Sequence, residues 1–385
     1  MKVAHVLLRF DAPGGVETNV REVTRRLRAA GEEVEVYASD LYDEAGWDRR
    51  SNYAPTVDGV PVHRFPVRKR LVPGLTMPMM VGLMDALADS DADVLHAHSH
   101  RYGHVLEAAA VAERLRIPLV VSTHYHPADR RETTVKRGLL RTQDVVFGMT
   151  AYRIARALVV QTEREAALIR EFAPAGKLRT IAPGIDLASW STPATDRADV
   201  LGLPEEYFLF VGRIASNKGL PTLLAALAQL EPRDRKPLVL MGRDWGERSH
   251  LEAEARRLGL SDAVRFLDHV DDPAVYRGVI RRAQALVLPS EWEAFGLVLL
   301  EAMAAGTPIL ASAVGGVPDV LDGGRAGRLV PYGNVTALAA ALRGVLNDPT
   351  ETEQRTRAAS ERVRGFDWSV TVDRHRALYR EVTGR

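Results

Sequence analysis

Along the chain, short runs in which nearly every position is apolar alternate with longer stretches whose apolar residues recur every three or four positions. Uninterrupted apolar runs suit strands covered on both faces, and the stretches between them suit the covering helices. The pattern predicts parallel strands at Val3–Leu8, Glu33–Ala38, Val62–Phe65, Asp93–His96, Leu119–Ser122, Ala157–Gln161 and Leu178–Ile181. A second series follows at Tyr207–Val211, Leu238–Met241, Val264–Phe266, Ala285–Leu288, Pro308–Ala311 and Gly327–Val330. Each series opens with a strand that runs into glycine, Gly14-Gly15 in one and Gly212 in the other. Between them, from Pro183-Gly184 to Leu203-Pro204, Ser, Thr, Pro and Asp crowd together and periodicity lapses, which marks a hinge. The fold class is therefore α/β, with two doubly wound parallel-sheet domains.

A length of 385 residues suits two such cores, and 46% hydrophobic with 26% charged residues is the balance of a globular chain. A net charge of +1 supplies no field for nucleic acid, so that partner class is set aside. Of 51 basic residues only 6 are Lys, so an isolated Arg says little and a Lys at a motif position says more. With no Cys there is neither a disulfide nor a thiolate ligand or nucleophile. No apolar run reaches the roughly 18 residues of a spanning helix, and the N-terminal one is short for a signal peptide. The expectation is a cytoplasmic protein, soluble or peripheral at the inner face of the membrane.

Open α/β sheets bind ligands at the carboxyl ends of their strands, and two sheets facing each other would line a cleft with those loops. The strongest local signal is Pro289-Ser290-Glu291-Trp292-Glu293-Ala294-Phe295-Gly296-Leu297-Val298-Leu299-Leu300-Glu301, between a buried strand and an amphipathic helix. Glu293 is expected at the helix start and Glu301 two turns on. Gly296, Leu297 and Val298 would offer unpaired amides to a phosphate. Taken alone, Glu293 reads more readily as a capping acid and Glu301 as a solvated or salt-bridged side chain. Gly306-Thr307-Pro308-Ile309-Leu310-Ala311-Ser312 and Gly315-Gly316-Val317-Pro318 follow.

With these additions the run resembles the signature of the retaining glycosyltransferases of family 4 (glycosyl transferases group 1), E-x7-E, G-x-P-x-x-A-S and G-G-x-P. The resemblance implies the GT-B fold, two Rossmann-like domains facing across a cleft. It divides the chain into an acceptor-side domain, 1–184 with a crossover helix 367–385, and a nucleotide-sugar domain, 185–366. Glu293 would contact donor-sugar hydroxyls and Glu301 the ribose, with Phe295 among the donor-binding positions. Gly212-Arg213-Ile214-Ala215-Ser216-Asn217-Lys218-Gly219 matches the family's G-R-(x4)-K-G, whose Arg and Lys hold the donor diphosphate. That role falls to Arg213 and Lys218. Gly14-Gly15-Val16-Glu17 matches G-G-x-E, whose glycine amides face donor phosphate or acceptor, and His124 matches a histidine that touches the donor sugar or its phosphate. Loops at Gly242-Arg243-Asp244 and Asp268-His269-Val270 would contact the base, through Gly242 and Val270 among others. Pro183-Gly184-Ile185-Asp186 departs from the commoner N-G-V-D.

Other patterns are given less. His96, His98 and His100 alternate at a strand end and read as imidazoles lining a polar site, since a third metal ligand cannot be identified. Asp89-Ser90-Asp91-Ala92-Asp93 contains D-x-D but precedes its strand, so it reads as a turn. No metal and no resident cofactor are expected. The partners expected are a nucleotide-sugar donor, UDP- or GDP-linked, and an acceptor that is a sugar, a small metabolite or a lipid-linked sugar. The alternatives are a nucleotide-sugar 2-epimerase on the same fold and a non-catalytic sugar-nucleotide-binding subunit. Arg64, Arg68, Lys69 and Arg70 precede the Met-rich segment Leu71–Leu87, which reads as a core helix or as a peripheral membrane contact.

Overall fold

The computed structural model describes residues 1–12, 14–43, 47–68, 78–127, 133–191 and 201–385. The chain divides into two compact units, Met1–Pro183 with Trp368–Arg385, and Gly184–Asp367. Residues 192–200 of the expected hinge lie outside the described residues.

The first unit contains strands β1 (Lys2–Leu7), β2 (Glu33–Ser39), β3 (Leu41–Asp43), β4 (Asp48–Arg49), β5 (Thr56–Val57), β6 (Val60–Phe65), β7 (Val94–His98), β8 (Leu119–Ser122), β9 (Ala157–Val160) and β10 (Leu178–Thr180). Its helices are α1 (Gly15–Ala29), α2 (Leu83–Ala88), α3 (Gly103–Leu115), α4 (Thr134–Met149), α5 (Ala151–Ile154) and α6 (Glu163–Ile169). In the second unit, β11 (Phe208–Val211), β12 (Leu238–Met241), β13 (Val264–Leu267), β14 (Ala285–Leu288), β15 (Ile309–Ser312) and β16 (Arg328–Val330) alternate with helices. These are α7 (Leu187–Ser191), α8 (Leu220–Ala228), α9 (Arg248–Arg257), α10 (Pro273–Arg282), α11 (Leu297–Ala305), α12 (Val317–Val320), α13 (Val335–Asn347) and α14 (Pro349–Arg362). The last helix, α15 (Trp368–Thr383), belongs to the first unit.

All thirteen expected strands are present, their ends displaced by no more than two residues. Strands β3, β4 and β5 were not expected; at two or three residues each they are too short to show a period. The first sheet runs β10-β9-β8-β7-β1-β2-β6-β5 and the second β13-β12-β11-β14-β15-β16. Every pairing is parallel except those of β5 with β6 and of β3 with β4. Strands β7, β8, β9, β12, β14 and β15 are buried at every position, which is why their sequences run apolar without alternation.

In the first unit, one sheet face packs Leu83, Leu87, Val105 and Ala108 of α2 and α3. The other packs Val20, Val23 and Leu27 of α1 together with Trp368, Val372 and Tyr379 of α15. The D-x-D segment forms the turn into β7: Asp91 has φ +50° and an Asp93 carboxylate oxygen accepts from the Lys2 amide at 2.8 Å. Of the Arg64–Leu87 segment, residues 69–77 lie outside the described residues. Met80, Leu83 and Leu87 are buried there, while Val81 and Met84 are exposed. Among the described residues no helix is long and apolar enough to cross a membrane.

Tyr379 is fully buried, and its hydroxyl lies 2.7 Å from His96 Nδ1. Tyr379→Ala should cost about 3–5 kcal/mol, the range for emptying a buried aromatic site. Tyr379→Phe should cost about 1–3 kcal/mol, because it strands a buried imidazole nitrogen. Urea unfolding measures both, and an Ala variant as stable as wild type would remove α15 from the core of the first unit.

Candidate active site

In the second unit the strand order reverses between β11 and β14, the position at which open α/β sheets present their strand-end loops to ligands. The backbone there is fastened across three loops. The Glu291 amide donates to Asn217 O and the Gly316 amide to Glu293 O, both at 2.9 Å. A Cβ on Gly219 would come within 2.0 Å of Pro289 O, and one on Gly315 within 1.9 Å of Glu293 O. Both glycines also have positive φ, +65° and +50°. Residues 289–293 are thus gripped from two sides by main chain that admits no side chain.

The grip sets two charges together. Lys218 Nζ lies 2.6 Å from Glu293 Oε1, which also accepts from Ser290 Oγ at 2.8 Å. The two side chains are only 12% and 14% exposed. Glu293 does not open the helix as expected: α11 begins at Leu297, with Gly296 at φ +84° before it and no side-chain cap. Without such a cap, the amides of Leu297 and Val298 keep the open, partially positive end of the helix. Arg213 is exposed; its guanidinium stacks 4.4 Å from the Trp245 ring and has no carboxylate partner among the described residues.

Glu301 is one turn into α11 rather than solvated, and accepts from the Tyr276 hydroxyl at 2.6 Å. Burial pushes its pKa above the ordinary carboxylate value, and the hydrogen bond from Tyr276 only partly opposes this. Phe295 is 4% exposed with its ring edge against Phe366, so its side chain belongs to the core and only its main chain is free for a ligand. The Gly242 amide is used by Leu267 O at 2.9 Å. Asp244 accepts from the amides of Gly246, Glu247 and Arg248, which starts α9. Val270 is half-buried in the loop between β13 and α10.

The first sheet reverses between β1 and β7. After β1, Gly14 O accepts the Thr18 amide and so begins α1, with Gly15 exposed. Glu17 is buried and paired with Arg9 at 2.7 Å, a partner the G-G-x-E pattern does not reveal. His124 follows β8 at φ +41°, with Nδ1 3.1 Å from Gln161 Nε2 and its buried Nε2 without a partner. Ser99 and Arg101, after β7, are also left-handed, at φ +81° and +66°. Three strained non-glycine residues at two adjacent strand ends mark a place where side-chain position outweighs backbone comfort.

The three alternating histidines separate. The turn at Ser99 sends His100 to Asp144 Oδ1 at 2.8 Å and the Tyr152 hydroxyl at 2.6 Å, with Arg101 on the same carboxylate. His96 and His98 stay with His5, which sits beside His96 across β1 and β7. The lone His5 carries no signal in sequence. Ligand nitrogens of His5, His96 and His98 lie within 4.8 Å of one another, a spacing a metal could bridge. His5 Nδ1 and His98 Nε2 are instead 2.9 Å apart, and His96 is held by Tyr379 and by Ser122 Oγ at 2.8 Å. The cluster is thus a hydrogen-bonded network largely satisfied by its own members, with His98 Nδ1 left over.

Residues 194–363 match the family described as glycosyl transferases group 1, and residues 13–189 match glycosyltransferase family 4. D-inositol 3-phosphate glycosyltransferase 1 of Catenulispora acidiphila is 33% identical over 394 residues, covering 96% of this chain and 91% of that protein. Phosphatidyl-myo-inositol mannosyltransferase of Mycolicibacterium smegmatis is 32% identical, with 97% and 92% covered. The structure of sucrose-phosphate synthase from Thermosynechococcus elongatus is similar at a TM-score of 0.77 and 26% identity, covering 100% of this chain and 99% of that one.

Burial lowers the pKa of His5 to about 3 and of His124 and His375 to about 4, with repulsion from His375 adding to the shift at His5 and His124. His96 and His98 are also pushed well down by burial and by neighbouring imidazoles. Above the ordinary value of 6.5 these rings are neutral whether folded or unfolded, so stability is level there. Between about pH 6.5 and 4 the unfolded chain takes up protons that the folded unit refuses, and stability falls as the pH falls. Each ring contributes up to about 1.4 kcal/mol per pH unit in that window. Urea midpoints of the first unit should be flat from pH 8 to about 7 and drop steeply below about 6; a flat profile to pH 5 would show that the cluster is not buried neutral.

Proposed function

Since the chain belongs to glycosyltransferase family 4, the group 1 glycosyl transferases, and is a glycosyltransferase, we propose that it moves a hexosyl group from a UDP- or GDP-linked sugar to an acceptor hydroxyl. The anomeric configuration is retained and the new bond is α. The observation that supports this reading most directly is the Lys218–Glu293 pair at the β11–β14 reversal, beside the open start of α11.

Arg213 and Lys218 neutralise the donor diphosphate, and the main-chain amides of Phe295 to Val298 donate to its oxygens. Glu293 accepts hydrogen bonds from sugar hydroxyls, each charge-assisted bond contributing about 1.5–3 kcal/mol. Glu301, oriented by Tyr276, takes the ribose, and the loops at Gly242 and Val270 take the base. Gly14 and Gly15 face the donor phosphate or the acceptor, and His124 touches the donor sugar or its phosphate. His124 is neutral near pH 7, so its unpartnered Nε2 offers a hydrogen bond without bringing a charge.

In the transfer the acceptor oxygen attacks the anomeric carbon and the bond from that carbon to the diphosphate oxygen breaks. The hydroxyl proton passes to the departing oxygen on the same face, which accounts for retention. Negative charge grows on the diphosphate as the bond breaks, and protein cations and amides offset it, so neither a metal nor another cofactor takes part. The acceptor is a sugar, a small metabolite or a lipid-linked sugar; the names of the two relatives include an inositol phosphate and a phosphatidyl-myo-inositol.

A thermal-shift panel of UDP-, GDP- and ADP-sugars identifies the donor, since a ligand at about 100 times its Kd adds about 2.7 kcal/mol. With donor and acceptor in hand, Glu293→Ala and Lys218→Ala should each lower kcat by about a hundredfold or more, while Glu301→Ala should act mainly on the donor KM. Wild-type turnover in the first two variants would sink the site assignment.

Chelation of divalent metal should leave the rate unchanged. Loss of activity that magnesium or manganese restores would reject the metal-free reading.

A further inference from the structure

The first unit carries an uncovered face outside the transfer chemistry. Helix α4 presents Val135, Leu139, Val146 and Met149 to solvent, at 82%, 45%, 49% and 62% exposure. Their spacing of four, seven and three residues puts them on one side of the helix, away from Asp144 and Phe147, which face inward. Among the described residues, five of the ten exposed large hydrophobic side chains sit on this one helix. Scattered singly they would need no explanation, but gathered in a stripe they do.

The stripe ends at a charged hollow. Met149 lines an open cavity of about 880 Å³ together with four cations, Arg116, Arg153, Arg156 and Lys177, and one acid, Glu113. The three arginines are exposed, and none has a carboxylate partner among the described residues. Lys177 directs its ammonium to the carbonyls of Tyr152 and Arg153. Burial lowers its pKa, and the charges of Arg156 and Arg153 lower it further, as expected where positive charge outweighs negative. Arg137 and Arg141 lie along the same helix.

We propose that this face docks the protein on an anionic lipid bilayer, with Val135, Leu139, Val146 and Met149 entering the acyl boundary and the arginines of the hollow meeting headgroup phosphates. An apolar stripe flanked by cations is the pattern of a helix lying in the interface plane. A protein partner covering the same face would have to desolvate several unpaired guanidinium groups, whereas a headgroup layer meets them while they remain wet. The docking face is separate from Lys218 and Glu293, which belong to the other unit.

Co-sedimentation of the full chain with vesicles tests this. Wild type should sediment at low ionic strength with phosphatidylcholine vesicles containing phosphatidylglycerol and stay in solution with phosphatidylcholine alone. Salt at about 1 M, where the screening length is about 3 Å, should release it. Leu139→Glu with Val146→Glu, and separately Arg153→Glu with Arg156→Glu, should each lower the bound fraction about tenfold or more while leaving the melting temperature unchanged. A wild type that stays in solution with anionic vesicles at low salt overturns the proposal, as does binding that both double variants retain. A dimer that the Leu139→Glu, Val146→Glu variant splits, without vesicle binding, would give the face to a second copy of the chain and equally overturn it.

Discussion

When neighbouring parallel strands send their connections to opposite sides, neither connection covers the gap at their carboxyl ends. Each sheet here has one such pair, β1 with β7 and β11 with β14, and the polar constellations of both units gather there. The two gaps are filled by different chemistry. One holds imidazoles buried to neutrality, the other an ammonium and a carboxylate in contact. The same topology thus holds a neutral imidazole cluster, beside the Arg9–Glu17 and Arg101–Asp144 pairs, in one unit and a Lys–Glu contact in the other, and the residues at the strand ends decide which.

The Lys218–Glu293 contact is a poor source of stability. Both side chains are largely withdrawn from water, and the cost of desolvating two ions offsets most of what their attraction returns. Its value is positional. The main-chain grip of Gly219 and Gly315 on residues 289–293 fixes the carboxylate before any ligand arrives, so little reorganisation is left for the moment when charge shifts in the reaction. The same grip explains why the motif is dense in glycine: a side chain at either position would collide with a carbonyl oxygen, whatever its chemistry.

The fold was legible because runs such as Leu238–Met241 and Ala285–Leu288, buried at every position, leave an apolar signature that needs no neighbour to interpret. The motif residues were legible too, but their local setting was not. Glu293 was expected on the helix and lies in the loop before it, because Gly296 at φ +84° fixes where the helix begins. Partners that lie outside the motifs left no trace in sequence: His5 for His98, Tyr276 for Glu301, Arg9 for Glu17, Gln161 for His124. His100 left its row because one left-handed residue, Ser99, turns the chain. The stripe on α4 was illegible for another reason. Helical spacing of Val, Leu and Met shows that a face is apolar, but what packs against it decides whether that face is inside.

The first unit is assembled from two separated lengths of chain, and α15 supplies Trp368, Val372 and Tyr379 to a sheet face begun by β1 and α1. On the ribosome this inverts the customary order, in which N-terminal domains finish first. The continuous second unit can be complete while Val20, Val23 and Leu27 are still partly bare, waiting for a helix not yet made. The nascent protein therefore passes through an interval in which the early-made part of the first unit is its least protected.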